Sequence, residues 1–85
     1  MFHVYILYSY SLKKYYVSSS QHHFVRIEEH NRGKTTFTRT GIPWSLMYAI
    51  TCEDVSCARE LEFKIKKRGC DRFLESLKSN LSSAD

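Results

Sequence analysis

Residues 2–8, Phe-His-Val-Tyr-Ile-Leu-Tyr, constrain this chain more than any other stretch. They are rich in β-branched and aromatic side chains, and apolar residues fall on both alternating faces. A strand with one wet face alternates apolar with polar, whereas one apolar on both faces must be covered on both sides. The chain therefore needs a layer above and a layer below this strand. With 85 residues it has the length of one domain. A hydrophobic content of 42% and a charged content of 26% suit a globular core rather than disorder. No apolar run approaches the roughly 18 residues of a membrane span, and Met1–Tyr10 lacks the basic start of a signal peptide. The three cysteines form no C-x-x-C pair, which predicts free thiols in a reducing cytoplasm and no structural zinc.

The rest of the chain supplies the covering layers. Residues 14–18, Lys-Tyr-Tyr-Val-Ser, read as a second strand, and the short link from the first predicts an antiparallel hairpin. Ser18–Ser20 offer an N-cap for a helix over Gln21–Asn31 that closes at Gly33, with Phe24 and Ile27 as its apolar contacts. His22, Arg26 and His30 stand at i, i+4, i+8 and share one face of it. Arg32–Pro43 is a basic, Thr-rich loop, and Trp44–Thr51 reads as a third strand after the turn at Gly41-Ile42-Pro43. Glu53 and Asp54 open a second helix running to about Arg68, where Gly69 ends it. At about 100° per residue, Glu62 falls inside the apolar stripe of Ala58, Leu61 and Ile65. A carboxylate there is expensive without a partner. Asp71 caps a last helix with Phe73, Leu74, Leu77 and Leu81 as its apolar side. The predicted fold is α/β (α+β), order β-β-α-β-α-α. It is a three-stranded antiparallel sheet flanked by helices, a single domain over residues 1–81 with a frayed tail at 82–85.

Thirteen Lys+Arg against nine Asp+Glu give a net charge of +4. The excess lies in the first fifty residues, where Lys13, Lys14, Arg26, Arg32, Lys34 and Arg39 face only Glu28 and Glu29. A basic half fits a polyanionic partner. Six tyrosines in so short a chain are a surplus that calls for a reason.

An ordered set of short motifs supplies one. His3-Val4-Tyr5 and Tyr16-Val17-Ser18 are followed by Arg26-Ile27-Glu28-Glu29-His30-Asn31 and by Gly33-Lys34-Thr35-Thr36-Phe37-Thr38-Arg39. Pro43-Trp44-Ser45-Leu46 and Ala58-Arg59-Glu60-Leu61-Glu62 with Ile65-Lys66 complete the set. In this order and spacing, over residues 2–80, the chain resembles the GIY-YIG nuclease superfamily. It is most similar to its small stand-alone branch, which resembles the N-terminal nuclease module of the excision-repair protein UvrC. His3 and Ser18 stand where the family signatures carry Gly, and Ser18-Ser19-Ser20 replaces a Gly-x-Thr run.

The resemblance implies roles. Tyr5 orients the reacting water or phosphate, and Tyr16 acts as or feeds the general base. Arg26 holds the scissile phosphate, His30 is an acid/base or phosphate contact, and Glu62 binds one divalent ion, Mg²⁺ or Mn²⁺. Elementary chemistry agrees. Phosphodiester hydrolysis needs charge stabilisation and a placed water, a hard cation on an oxygen ligand polarises the phosphate, and Arg grips two phosphate oxygens at once. Arg32, Lys34 and Arg39 are expected on backbone phosphates, with Phe37 packing the loop or stacking on a base. Each residue also has a bland reading. Tyr5 would be a core aromatic, Tyr16 a strand-surface aromatic, and Arg26 and His30 a solvated helix face. Glu62 would be the i, i+4 partner of Lys66.

The resulting expectation is a metal-dependent endonuclease hydrolysing DNA phosphodiester bonds, structure-selective or weakly specific, without a membrane partner. A homodimer or a targeting protein would supply specificity that so small a chain lacks. The alternative is a catalytically degenerate domain that binds nucleic acid without cutting it, with Ser18 as the cause. A protein-interaction domain on the same scaffold is a third reading.

Overall fold

The computed structural model describes residues 1–34 and 36–83, with the backbone alone at 37 and at 78–83. The first strand, β1 (Phe2–Ser9), lies in the middle of a three-stranded sheet between β2 (Lys14–Ser20) and β3 (Trp44–Cys52). Both pairings are antiparallel. The β1–β2 register sets Tyr5 opposite Ser18 and Leu7 opposite Tyr16. On the other side Ile6 faces Tyr48 and Leu7 faces Leu46, so Met47 is the extra residue of a bulge. Lys13, at φ 55, closes the hairpin.

The doubly apolar pattern of β1 has the predicted consequence. Val4, Tyr5, Ile6 and Leu7 are all buried, and they divide between two cores. Val4 and Ile6 join Val17, Cys52, Ala58 and Ile65 under helices α3 (Val55–Arg68) and α4 (Cys70–Ser83). Tyr5 and Leu7 join Trp44, with Tyr16, Ile27 and Ile42 packed around them, on the face carrying α1 (His23–Asn31). The predicted loop holds one short helical segment, α2 (Thr36–Arg39), before the cis Ile42–Pro43 bond and β3.

The ends of α3 follow the sequence reading. The Asp54 side chain caps it by accepting from the Cys57 backbone N–H at 2.8 Å, and the helix stops at Gly69. Three local expectations need correction. Ser18–Ser20 do not cap α1, because they extend β2, and the cap position falls to His22 without a side-chain hydrogen bond. Phe24 does not pack inward: it is 70% exposed, and Ile27 carries the inward apolar contact. Asp71 lies inside the first turn of α4, after Gly69, whose carbonyl accepts from Phe73 N–H. Helix α4 runs to Ser83, two residues beyond the boundary expected at 81. The Leu81 side chain and residues 84–85 of the expected tail lie outside what is described. Cys52 is buried, Cys70 half-buried and Cys57 exposed, and all three are free thiols.

Candidate active site

The α1 face of the sheet gathers four of the residues singled out from the sequence. Tyr5 comes from the central strand, Tyr16 from the edge strand, and Arg26 and His30 from α1. Helix geometry sets Arg26 and His30 one turn apart. Along the face that starts at His22, burial deepens from exposed His22 through half-buried Arg26 to fully buried His30. The i, i+4, i+8 spacing is therefore no solvated stripe, because its far end enters the core.

His30 is seated between Thr38 and Tyr16. Its Nδ1 is 2.8 Å from the Thr38 hydroxyl, itself fully buried. Tyr16 meets the imidazole edge-on, with ring centres 5.1 Å apart at 67°, and Tyr16 in turn stands 6.1 Å from Trp44. The Nε2 atom is buried and has no hydrogen-bond partner. Burial lowers the His30 pKa, and the Arg26 charge lowers it further against the opposing effect of Glu29, so the imidazole is neutral at pH 7.

Tyr5 presents a second buried polar atom without a hydrogen-bond partner, its hydroxyl oxygen. Burial raises the pKa of this phenol above its ordinary value of 10.0. Ser18, opposite it in the ladder, and Arg26 both act to lower that pKa and are outweighed. Neither completes a hydrogen bond to the hydroxyl with good geometry. Tyr5 is therefore a donor in this site and not a base.

Arg26 is tethered while still reaching solvent. Its terminal nitrogen is 3.2 Å from Glu29, which also pairs with Lys34 at 3.6 Å. A guanidinium carries five N–H donors, so one carboxylate contact leaves capacity for a phosphate. The loop cations have internal contacts too: Arg32 pairs with Glu28, and Arg39 Nε donates to the Gly33 carbonyl at 3.1 Å. Such exposed pairs contribute at most about 1 kcal/mol and exchange readily for phosphate oxygens. The Phe37 side chain lies outside what is described.

Glu62 occupies a different side of the sheet. It sits on α3, the helix over the core of Val4 and Ile6, with its side chain only 20% exposed. Lys66 pairs with it at 3.1 Å, and the Ser19 hydroxyl donates to its other oxygen at 3.5 Å. The end of β2 links the two sides: Ser18 points to Tyr5 and the next residue, Ser19, points to Glu62. Among the described residues no group of three or more His, Cys, Asp or Glu side chains could hold a metal ion. A single half-buried carboxylate with a hydroxyl beside it fits a hard ion that keeps most of its water, as Mg²⁺ does. The Lys66 ammonium shows that a cation is already accommodated there.

Asn31, Thr38, Gly41 and Trp44 shape this site without having been assigned roles from the sequence. Asn31 clamps the start of β3: its amide donates to the Trp44 carbonyl at 3.1 Å, and its oxygen accepts from Trp44 N–H at 2.6 Å. The Trp44 indole then donates to the Thr38 carbonyl at 2.7 Å, which fixes the segment carrying the His30 partner. Gly41 makes room for that indole, since a Cβ there would lie 2.5 Å from a Trp44 ring atom. The signal was present, because Asn31, Thr38 and Trp44 all fall inside the ordered motifs. Thr38, polar and in a predicted loop, does not announce that it is buried.

Two buried polar atoms without hydrogen-bond partners, on Tyr5 and His30, thus lie under α1, and a basic loop carrying Arg32, Lys34 and Arg39 follows it. The family model of the GIY-YIG catalytic domain matches residues 1–71. The chain therefore belongs to the GIY-YIG family, whose domains are of the nuclease type and cleave DNA. No curated protein and no solved structure matches it significantly. Among the described residues no helix is long and apolar enough to cross a membrane.

Proposed function

We propose that this chain is a metal-dependent endonuclease that hydrolyses DNA phosphodiester bonds, selective for structure or only weakly for sequence. The observation that carries the reading is the pair of buried polar atoms, Tyr5 hydroxyl and His30 Nε2, both without partners and both beside Arg26. An unsatisfied buried polar group costs about 1–3 kcal/mol. Such groups persist where a ligand completes them. A phosphate held by Arg26 accepts from the Tyr5 hydroxyl, which its surroundings keep protonated. Water is the nucleophile, and Tyr16 is the proton-accepting group beside it, in contact with the His30 ring. The neutral imidazole takes or gives a proton at Nε2 according to its tautomer. Glu62, with Ser19, would hold Mg²⁺ or Mn²⁺, which supplies Lewis-acid polarisation of a phosphate oxygen. Arg32, Lys34 and Arg39 contact backbone phosphates and carry no sequence information. Free thiols, one of them exposed at Cys57, suit a reducing cytoplasm. A second copy or a targeting partner would add the specificity that one such module lacks.

One observation favours the second reading, a nucleic-acid-binding module without turnover. Ser18 adds a side chain at the β2 position facing Tyr5, where the family carries Gly. Purified protein with supercoiled plasmid and with flap DNA, in Mg²⁺ or Mn²⁺, separates the two. On the endonuclease reading Tyr5→Phe and Arg26→Gln each slow cleavage about a hundredfold or more, and Glu62→Ala abolishes it. Cleavage that persists in Glu62→Ala marks a contaminant and sinks the assignment. Salt-sensitive binding without cleavage, with turnover appearing in Ser18→Gly, establishes the second reading.

A further inference from the structure

Beside Tyr5 the aromatic contacts continue outward to the surface. The His3 ring, held by a 3.1 Å contact between its Nδ1 and the Thr51 hydroxyl, stacks on His23 with centres 4.4 Å apart at 37°. His23 stacks on Phe24 at 4.1 Å and 35°, and its other neighbour is Tyr5, at 6.4 Å and 31°. A tilted series of rings thus runs from the buried Tyr5 phenol through His23 to Phe24, with His3 packed on His23 from the side. The outermost, Phe24, is 70% exposed. A cavity of about 380 Å³ opens there, lined by His3, Gln21, His22, His23, Phe24 and Val25. That is large enough for a small ring ligand. Phe24 belongs to neither hydrophobic core, and most of its ring is open to solvent.

We propose that this series of rings is a stacking platform for an unpaired nucleobase of the strand whose phosphate lies at Arg26. The proposal deepens the endonuclease reading and rests on it for the position of the phosphate. Three observations select a base over other occupants. The platform is continuous with the candidate phosphate site through the Tyr5–His23 contact, and His23 stands one helical turn before Arg26. The neighbouring helix and loop carry Arg26, Arg32, Lys34 and Arg39 against Glu28 and Glu29, a cationic surround that favours a polyanion. The Gln21 side chain at the rim has a donor and an acceptor for a base edge. Bases in a duplex are already stacked on both faces, so an aromatic platform selects single-stranded or frayed segments. The substrate class is then DNA with an unpaired stretch at the cleavage point, not plain duplex.

The test uses the full chain in EDTA, where binding is read without cleavage. Fluorescence anisotropy compares a labelled oligodeoxythymidine with a strand of equal length made of abasic sites, equal in charge and lacking bases. The base-bearing strand is expected to bind about five- to a hundredfold more tightly. Phe24→Ala and His23→Ala are each expected to remove that preference while keeping the weaker affinity for the abasic strand. Phe24 is so exposed that its replacement leaves the cores intact. Equal affinity of the wild type for the two strands, or a preference that survives both substitutions, overturns the platform. So does sedimentation showing wild-type self-association that Phe24→Ala abolishes alongside equal affinities, which makes the patch a protein interface instead. Failure of the plasmid assay would refute the endonuclease reading alone, because this measurement needs no metal and no turnover.

Discussion

The His30–Thr38 contact is where the stability of this domain and its proposed chemistry meet. Both side chains are fully buried, and among the described residues the 2.8 Å contact is the imidazole's one hydrogen bond, since its other nitrogen has none. Replacing Thr38 with Val keeps the shape of the side chain and removes the hydroxyl. His30 then buries two unsatisfied nitrogens instead of one, at a cost of about 1–3 kcal/mol. For a domain of this size each kcal/mol lowers Tm by roughly 4–8 °C. The expected loss is therefore about 4–24 °C, read by circular dichroism. A thermodynamic cycle isolates the pair. His30→Ala removes the imidazole, and in that background Thr38→Val has no nitrogen to strand. Urea titration of wild type, both single variants and the double variant should give a coupling of about 1–3 kcal/mol between the sites. Additivity within about 0.5 kcal/mol would show that the hydroxyl does not serve the imidazole, and the account of how His30 is seated would fall. In the cleavage assay Thr38→Val should lower kcat with little change in KM, because it frees the ring to reorient.

Four further outcomes follow from the same geometry. Gly41→Ala places a Cβ 2.5 Å from the Trp44 ring and should cost about 1–3 kcal/mol, measured by urea denaturation, since the indole is held by the Thr38 carbonyl and has little room to yield. Asn31→Ala removes both hydrogen bonds to the Trp44 backbone and should cost about 1–3 kcal/mol, with early hydrogen exchange at the start of β3 as its local signature. The lowered pKa of His30 gives a pH dependence with a definite sign. The unfolded chain protonates this residue as pH falls through 6.5 while the folded chain still holds it neutral, so stability is full above that value and declines below it until the lowered folded pKa is reached. His23, also lowered by burial and by His3, adds a contribution of the same sign. Thermal melts between about pH 8 and about pH 5, which span the histidine range, should show Tm falling on the acid side, and His30→Gln should flatten the decline. Lys66→Gln removes the ammonium paired with Glu62 and should tighten Mn²⁺ binding about twofold, followed by the spin resonance of the free ion.

Strand β1 was legible because its pattern admits one solution. Seven residues apolar on both faces must sit between two layers, and the short link to β2 must make a hairpin. The limits of α3 were legible for a similar reason: Asp54 and Gly69 are local signals that act through their own backbone neighbours. The start of α1 was misread because Ser18, Ser19 and Ser20 are competent caps and also competent edge-strand residues. Pairing with His3, Val4 and Tyr5 of β1 decided between them. Phe24 was misread because apolar spacing alone does not say which side of a helix meets the sheet.

The sequence by itself determined the order of elements, the central strand and the family, since these depend on periodicity and on the order of motifs. It brought Tyr5, Tyr16, Arg26, His30 and Glu62 forward as a set. Only the tertiary structure divided that set, with four residues on the α1 face and Glu62 reaching the end of β2 from the other face. The physical reason is the period-two geometry of a strand, which sends Ser18 and Ser19 to opposite sides. Burial, likewise, belongs to the fold and not to the residue. It keeps the Tyr5 hydroxyl protonated, holds His30 neutral, and sets the Thr38 hydroxyl of the predicted loop against that imidazole.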